Sequence, residues 1–206
     1  MSESDVKQKA TFDLMIVGVG GQGAISLGQF LQEFGLQHPK IASVVATASR
    51  GVSQREGSVQ SLVRYVLKHN IGSENVKNVP ISPKISHQSC DLLIALEPLE
   101  CLRYLEFLSP HGIIIVNEQQ IIPKSVTLNQ TTYPNITTAF HQIQKTYPQV
   151  QIHAKNYTLD ALNANENLVV ANYLLCQDLP RIYPKLFDVP QFRELLNLVF
   201  NLKKKL

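Results

Sequence analysis

The sequence predicts an α/β fold, a three-layer α/β/α sandwich with a mixed, mostly parallel sheet. Short apolar runs alternate along the chain with longer amphipathic ones, a pattern typical of layered α/β domains. The first apolar run, 13–19, ends in glycines and leads into an amphipathic segment at 22–35, which predicts a Rossmann-like strand, loop and helix. Because the 206 residues are 44% apolar and 17% charged, we expect one domain over 1–206, with residues 1–11 flexible.

The N-terminal half predicts three strands and one helix. Residues 13–19 form the first, buried strand, and residues 22–35 form the helix. Residues 42–48 and 58–67 are rich in valine and predict two further strands. Only about ten residues separate these two strands, too few for a helical crossover, so we expect them to run antiparallel.

The middle of the chain predicts two strands around one helix. Residues 91–96 and 113–117 are apolar and predict buried strands, the second following a turn at His111-Gly112. Pro98 suits the first position of a helix. One side of this helix would carry Leu99, Leu102, Leu105 and Leu108, and the other side would carry Glu100, Arg103 and Glu106.

The last part of the chain predicts an edge strand and two helices. Residues from 118 onward are rich in Pro, Asn, Gln and Thr and give no clear element until 150–154, which predict an edge strand. Thr158 and Asp188 are candidate N-caps for helices over about 158–179 and 189–203. The side chains expected to face the core from these helices are Leu159, Leu162, Val169, Tyr173, Cys176, Phe192, Leu195, Leu196, Val199 and Leu202.

Charge, hydropathy and cysteine content exclude several functional classes. The net charge of +3 is too weak to predict nucleic-acid binding. The sequence has no run of 18 apolar residues and no secretory signal, so we expect a cytoplasmic protein without a membrane partner. The three cysteines, Cys90, Cys101 and Cys176, are too few and too widely spaced for a disulfide framework or an iron–sulfur cluster. We expect buried thiols and no metal site.

A glycine-rich loop at 18–23, G-V-G-G-Q-G, follows the first strand and opens the first helix. In this context backbone N–H groups can hold a phosphate. The candidate cofactor-binding residues are therefore Gly18, Gly20, Gly21, Gln22 and Gly23. A dinucleotide site usually adds an acidic residue after the second strand, but Arg50 stands there and would suit a ribose phosphate. The same loop also occurs in adenylating enzymes, which need the same acidic residue. A glycine loop that only forms a tight turn or a protein interface needs no acidic residue.

A second polar loop lies at 49–58, S-R-G-V-S-Q-R-E-G-S. We expect it at the carboxyl end of the second strand, near the glycine loop, where open α/β sheets bind ligands. Its two guanidinium groups could hold a phosphate or carboxylate. The alternative is a solvated hairpin turn whose arginines pair with Glu56 or with another chain. The candidate binding residues are Ser49, Arg50, Ser53, Gln54 and Arg55.

Three motifs in this order resemble a known family. They are G-V-G-G-Q-G at 18–23, S-x-G-x-S-Q-R-x-G-S-V at 49–59 and L-x-A-L-E-P-L-E at 93–100. Together they resemble the gamma-type domain of the 2-oxoacid:ferredoxin oxidoreductases, most closely the small (beta) subunit of indolepyruvate oxidoreductase. The Asn-rich segment 165–175 is similar to a helix of that family, whereas Glu56 stands where a smaller residue is expected.

The resemblance implies a subunit of a complex that oxidatively decarboxylates a 2-oxo acid, such as indolepyruvate or another aryl pyruvate, to an acyl-CoA. The family uses thiamine diphosphate with Mg²⁺, iron–sulfur clusters and coenzyme A, and it reduces ferredoxin. The sequence has neither a Gly-Asp-Gly segment for Mg²⁺ and diphosphate nor the cysteines for a cluster. We therefore expect these cofactors on a larger partner subunit, an inactive isolated chain, and loops that face the partner or the coenzyme A path.

Glu97 is the one candidate for an acid or base, because it ends a strand and the resemblance places its turn near the glycine loop. The alternatives are a cap on the following helix or an ion pair with Arg50, Arg55 or Arg64. Two other functions stay open. One is a stand-alone NADP(H)-binding oxidoreductase, and the other is a non-catalytic regulatory module on the same fold.

Overall fold

A computed structural model describes residues 9–51, 57–68, 82–164, 166 and 168–204. Six strands form one sheet: β1 (Thr11–Val19), β2 (Ile41–Arg50), β3 (Ser58–Leu67), β4 (Cys90–Ala95), β5 (Leu108–Asn117) and β6 (Gln151–Lys155). Their order is β2-β3-β1-β4-β5-β6. The pairs β1–β4, β4–β5 and β5–β6 are parallel, whereas β3 is antiparallel to both β1 and β2. The mixed, mostly parallel sheet and the antiparallel second and third strands are confirmed.

Helices cover both faces of this sheet. They are α1 (Ala24–Gln37), α2 (Pro98–Arg103), α3 (Lys124–Thr127), α4 (Ile136–Thr146), α5 (Tyr157–Asn163), α6 (Leu168–Ile182), α7 (Pro184–Phe187) and α8 (Pro190–Lys204). Successive side chains of a strand point to opposite faces. In β1, Leu14 and Ile16 accordingly pack with α1, α6 and α8, while Met15 and Val17 join a second core with α2 and α4. Two cores on one sheet make the predicted three-layer α/β/α sandwich.

A charged cluster lies near the start of β1, at the end away from the glycine loop. Asp13 is 1% exposed and receives two hydrogen bonds from the Arg64 guanidinium, at 2.6 and 3.0 Å. Lys9 lies 3.0 Å from the same carboxylate and 2.6 Å from Asp91. A buried carboxylate is destabilising unless a cation pairs with it, and these pairs connect β1 to β3 and β4. Arg64 is therefore the partner of Asp13 and not of Glu97.

The helix after β4 is shorter than predicted. It ends at Arg103, a 3-10 turn follows at Leu105–Phe107, and Leu108 already begins β5 opposite Cys90. The expected turn at His111-Gly112 therefore lies inside a strand whose pairing with β4 shifts register. Glu100, on the charged side of this helix, is only 4% exposed. The spacing of the leucines predicted one continuous helical face. The helix ends early because Leu108 pairs with Cys90 in the sheet, and local spacing does not reveal such a tertiary contact.

The predicted helix over 158–179 is two helices, α5 and α6. Asparagines near 163–167 have low helix propensity and compete with helical hydrogen bonds, which accounts for the break. Asn156, and not Thr158, caps α5 by accepting the Leu159 amide at 2.8 Å. As a result, three side chains expected in the core are exposed: Leu159, Leu162 and Val169.

Other predicted features are confirmed. The strand over 58–67 and the edge strand near 151–155 form at the predicted places, and all three cysteines are buried. The last helix, α8, buries Phe192, Leu195 and Leu196 as expected. The described residues contain no helix that is both long enough and apolar enough to cross a membrane.

Candidate functional site

A crevice of about 680 Å³ opens at the carboxyl ends of β1, β4 and β5. This is the edge at which open α/β sheets bind ligands. Its floor is the glycine loop, and its polar lining consists of serine, threonine and amide side chains: Gln22, Ser26, Asn117, Gln119, Thr158 and Asn172. Apolar side chains, among them leucine, isoleucine, valine and phenylalanine, form the remaining walls, and none of the described residues that line the crevice is charged. The lining therefore suits an uncharged group that offers both apolar surface and hydrogen bonds.

The glycine loop is held in place by its own hydrogen bonds. The Gln22 side chain accepts the Val19 amide at 2.7 Å and donates to the Leu96 carbonyl at 2.8 Å, which links the loop to β4. The Gly20 amide donates to Gly57 at 2.9 Å, and the Gln22 amide donates to Val19 at 3.1 Å. Three amides around this loop thus already have partners inside the protein, which leaves fewer of them for a diphosphate than a nucleotide loop offers.

Two glycines in the loop have left-handed backbone conformations. Gly21 has φ 97° and faces open space, while Gly23 has φ 91° and lies against Asn172. Only glycine adopts this region without strain, so the turn requires glycine at both positions. Asn172 of α6 donates to the Gln22 carbonyl at 2.8 Å, which joins the loop to the C-terminal part of the chain.

The stems of the second polar loop reach the same edge of the sheet. The Gly51 amide donates to the Ser58 carbonyl at 2.8 Å, and Gly57 accepts from Gly20 of the glycine loop. Ser49 lies at the end of β2 and accepts a hydrogen bond from Gln60 at 2.8 Å. The two loops are therefore neighbours, as predicted. The Arg50 side chain and the whole of Ser53, Gln54 and Arg55 lie outside the described residues.

Glu97 lies beside the crevice and is 1% exposed. It is the N-cap of α2, since its Oε2 accepts the Glu100 amide at 2.9 Å. Its Oε1 accepts the Tyr133 hydroxyl at 2.5 Å and the Ile121 amide at 3.3 Å. Both carboxylate oxygens therefore have donors, and the cap, which was one of the alternatives for this residue, is confirmed. Burial, together with the hydrogen bond to Glu97, raises the pKa of Tyr133 above its ordinary value.

A second buried carboxylate, Glu100, anchors the stem of the polar loop. Its Oε2 accepts the Ser58 hydroxyl at 2.5 Å, and Tyr104 lies 3.0 Å from the same hydroxyl. Burial raises the pKa of Glu100, an effect that the Ser58 hydrogen bond and Arg103 oppose. Arg103 lies 3.4 Å from the other oxygen. Helix α2 thus contacts the stem of the polar loop through Glu100.

Sequence reasoning missed the residues that lie far from the loops in the chain. Asn117 and Thr158 are both buried and pair side chain to side chain at 2.8 Å, closing the end of β5 against α5. Asn172 belongs to the Asn-rich segment that carried part of the resemblance, so that segment was a usable signal. Tyr133 lies in a stretch whose pattern indicated no element, and no local signal marks it.

A cavity of about 590 Å³ lies elsewhere, between α6 and α8. Its two arginines are exposed and each pairs with an aspartate, Arg181 with Asp178 at 3.6 Å and Arg193 with Asp188 at 3.2 Å. It contains none of the residues that the sequence singled out as a site. The crevice at the glycine loop is therefore the better candidate.

Comparison with known proteins places this fold and loop arrangement in one family. Residues 13–174 match the pyruvate ferredoxin/flavodoxin oxidoreductase family, and the chain belongs to that family. The matched range runs from Asp13 in β1 to about the middle of α6, and it includes both loops and Glu97.

Curated relatives are indolepyruvate oxidoreductase subunits. The chain is 34% identical over 138 residues to subunit IorB of Archaeoglobus fulgidus, a match that covers 67% of this chain and 62% of that protein. It is 30% identical over 125 residues to IorB of Thermococcus kodakarensis, which covers 61% of this chain and 55% of that protein. The chain thus matches less than two thirds of the length of these relatives.

Solved structures share the fold. The pyruvate oxidoreductase subunit PORC of Thermotoga maritima superposes with a TM-score of 0.56 at 20% identity, covering 96% of this chain and 86% of that one. The gamma subunit of a keto/oxoacid ferredoxin oxidoreductase from Geobacter sulfurreducens gives 0.53 at 21% identity, covering 92% and 94%. A 2-oxoglutarate:ferredoxin oxidoreductase from Magnetococcus marinus, with coenzyme A bound, gives 0.56 at 14% identity and covers 95% of this chain but 28% of that one.

Proposed function

We propose that this chain is the small subunit of a 2-oxoacid:ferredoxin oxidoreductase of the indolepyruvate type. The complex would convert an aryl 2-oxo acid to an acyl-CoA and pass two electrons to ferredoxin. The observation that carries the proposal is the family match over both loops, joined to the identity with indolepyruvate oxidoreductase subunits. This chain would supply a wall of the active site and not the reacting groups.

The donor chemistry of the described residues does not fit the metal ions and iron–sulfur clusters of such a complex. No group of three or more His, Cys, Asp or Glu in this part of the chain is placed to hold a metal ion. The cysteines are buried, and burial raises the pKa of Cys90 and raises that of Cys101 to about 12, which disfavours the thiolate that a cluster needs. We therefore assign thiamine diphosphate, Mg²⁺ and the clusters to a larger partner subunit.

The crevice at the glycine loop is the site that we propose faces the partner and the coenzyme A path. Its uncharged, amide-rich lining suits the amides and apolar segments of the pantetheine arm better than a nucleotide diphosphate. The two exposed apolar side chains at its rim, Leu162 and Val169, suit burial by the partner. The glycine loop and Ser49, Arg50, Ser53, Gln54 and Arg55 are the proposed binding residues.

Anaerobic co-purification tests the assignment. A tagged chain expressed in its native host should bring with it a large subunit that contains iron and thiamine diphosphate. The complex should reduce a ferredoxin with indolepyruvate and coenzyme A faster than with pyruvate. A chain that elutes alone and binds NADPH would instead support the stand-alone nucleotide-binding oxidoreductase.

The arginines of the polar loop have a test of their own. In the purified complex, the double variant Arg50→Ala, Arg55→Ala should raise the KM for coenzyme A, because the loop would lose both cations that can pair with phosphate. Kinetics unchanged from wild type would remove the proposed role of this loop and leave the subunit assignment intact.

A further inference from the structure

The segment between β5 and α4 forms one wall of the crevice but has few apolar anchors. Gln119 and Ile121 line the crevice. The short helix α3 that follows has no buried residue, and α4 buries only Ile143. Two nearby apolar side chains, Ile122 and Leu128, are 48% and 66% exposed. Hydrophobic packing of the described residues therefore does little to fix where this wall lies.

One carboxylate supplies the missing anchor. Glu97 Oε1 accepts hydrogen bonds from Ile121 at the start of the segment and from Tyr133 near its end. The other oxygen, Oε2, caps α2 through the Glu100 amide. The Gln22 side chain of the glycine loop donates to the carbonyl of Leu96, the residue before Glu97. Glu97 therefore connects the wall to the glycine loop over a short path. A hydrogen bond to a buried charged group is stronger than a neutral one, so this anchor suits the task.

We propose that Glu97 is a positioning residue that holds the segment 121–133 through Ile121 and Tyr133 and thereby fixes one wall of the crevice. The proposal rests on the proposed function only in naming coenzyme A as the molecule affected. Glu97 does not act as an acid or base, because both oxygens accept donors and the side chain is shielded from solvent. It acts by deciding how far Ile121 stands from the glycine loop.

The variant Glu97→Asp separates the anchor from the cap. Aspartate is a preferred N-cap residue and keeps the charge, so α2 retains its first-turn hydrogen bond. Its arm is one methylene shorter, so it cannot also reach Tyr133 and Ile121. Tyr133→Phe removes only the hydroxyl donor and covers the case in which Glu97→Asp does not fold. The matched control is Glu106→Gln, which changes an exposed acid just beyond the same helix.

In the purified complex, Tyr133→Phe should raise the KM for coenzyme A about fivefold, the effect of about one lost hydrogen bond, and Glu97→Asp, which loses two, should raise it at least as much. We expect kcat and the KM for indolepyruvate to stay within about twofold of wild type. The variants would weaken the binding of coenzyme A equally in its ground state and transition state, and they would leave the chemical step unchanged. Glu106→Gln should match wild type. A fall in kcat with an altered pH profile would identify Glu97 as an acid or base, and unchanged kinetics would show that the wall is held otherwise; either result overturns the proposal.

Hydrogen exchange in the same preparations provides a readout independent of activity. The amides of 119–133 should exchange about tenfold faster in Glu97→Asp and Tyr133→Phe than in wild type, because each variant breaks the anchor. If the complex turns over no 2-oxo acid but exchange is faster, the proposed function fails and the positioning role stands. If turnover is normal and exchange is unchanged, the positioning role fails alone.

Discussion

The glycine loop depends on single backbone conformations. Gly21 and Gly23 both have positive φ, but an added Cβ at Gly21 would meet open space, whereas one at Gly23 would lie 2.9 Å from the Asn172 side-chain nitrogen. The two positions therefore separate backbone strain from steric conflict. The hydrogen bond from Asn172 to Gln22 is the contact that the second effect would disturb.

We expect Gly21→Ala to lower the free energy of unfolding by about 1 kcal/mol from left-handed strain alone. Gly23→Ala should cost about 2 kcal/mol, because it also displaces Asn172 and weakens its hydrogen bond. Urea unfolding followed by circular dichroism measures both. Equal losses for the two variants would show that the Asn172 contact contributes nothing.

His38, at the end of α1, is a buried titratable group outside the site. It is 2% exposed, and its Nδ1 accepts the Lys40 amide at 3.1 Å. Burial lowers the pKa of His38, the Leu186 carbonyl opposes this effect, and Lys40 and Lys68 add to it. The folded protein thus favours the neutral ring more than the unfolded chain does.

The sign of the pH effect follows from that lowered pKa. The stability that the neutral His38 ring contributes is fully present above the unfolded histidine pKa of about 6.5. It is lost as the pH falls through the lower pKa of the folded protein. The unfolding free energy of wild type should therefore decrease from pH 7 to pH 5. His38→Asn, which can still accept the Lys40 amide, should flatten that slope. An unchanged slope in His38→Asn would contradict this assignment.

At the scale of elements, α1 lies unusually close to the sheet. A Cβ on Gly28 would approach the Ser61 hydroxyl oxygen to 1.9 Å, and one on Gly35 would approach the Tyr65 ring to 2.4 Å. Tyr65 in turn donates its hydroxyl to the Leu31 carbonyl at 2.6 Å. Glycines on the inner face of the helix thus let its backbone pack closely against the Ser61 and Tyr65 side chains of β3.

Gly28→Ala should destabilise the protein by about 2 kcal/mol, because overpacking of about 3 kcal/mol exceeds the helix-propensity gain of about 1 kcal/mol. Ser61→Gly removes the conflicting atoms. In a double-mutant cycle, the double variant should therefore lose about 2 kcal/mol less than the sum of the single losses. Thermal and urea unfolding measure the cycle, and additive losses would place the strain elsewhere.

Helix boundaries were the elements least accessible from sequence. The residues that form α2 and α5 were recognised as helical, but the end of α2 depends on Leu108 pairing with Cys90 in the sheet. Likewise α5 begins at Tyr157 with Asn156 as its cap, and the Thr158 side chain instead pairs with Asn117, a residue 41 positions away. Local periodicity predicts a helical face, whereas such distant contacts decide where the helix starts and stops.

At the scale of the whole molecule, two exposed apolar side chains suit the proposed assembly. Leu162 and Val169 are 52% and 39% exposed at the crevice rim, although both were expected in the core. Their exposure follows from the break between α5 and α6. It places apolar surface beside the site where the proposed large subunit would bind.

The double variant Leu162→Asp, Val169→Asp should reduce the amount of large subunit that co-purifies by about tenfold or more, since buried apolar anchors dominate interfaces. Leu36→Asp is the matched control, because Leu36 is 62% exposed at the far end of α1. Quantitative mass spectrometry of tagged preparations measures the ratio of subunits. Equal losses in the control would point to general instability and not to this interface.

The sequence by itself determined the fold class, the strands at 13–19 and 58–67, the glycine loop and the family. These depend on apolar periodicity and on short motifs, which are local properties of the chain. The tertiary structure decided the crevice and the hydrogen-bond partners of Glu97, because Asn117, Tyr133 and Asn172 reach the site only after distant segments pack. Burial and hydrogen-bond pairing across the sheet are non-local, so no pattern within a short window specifies them.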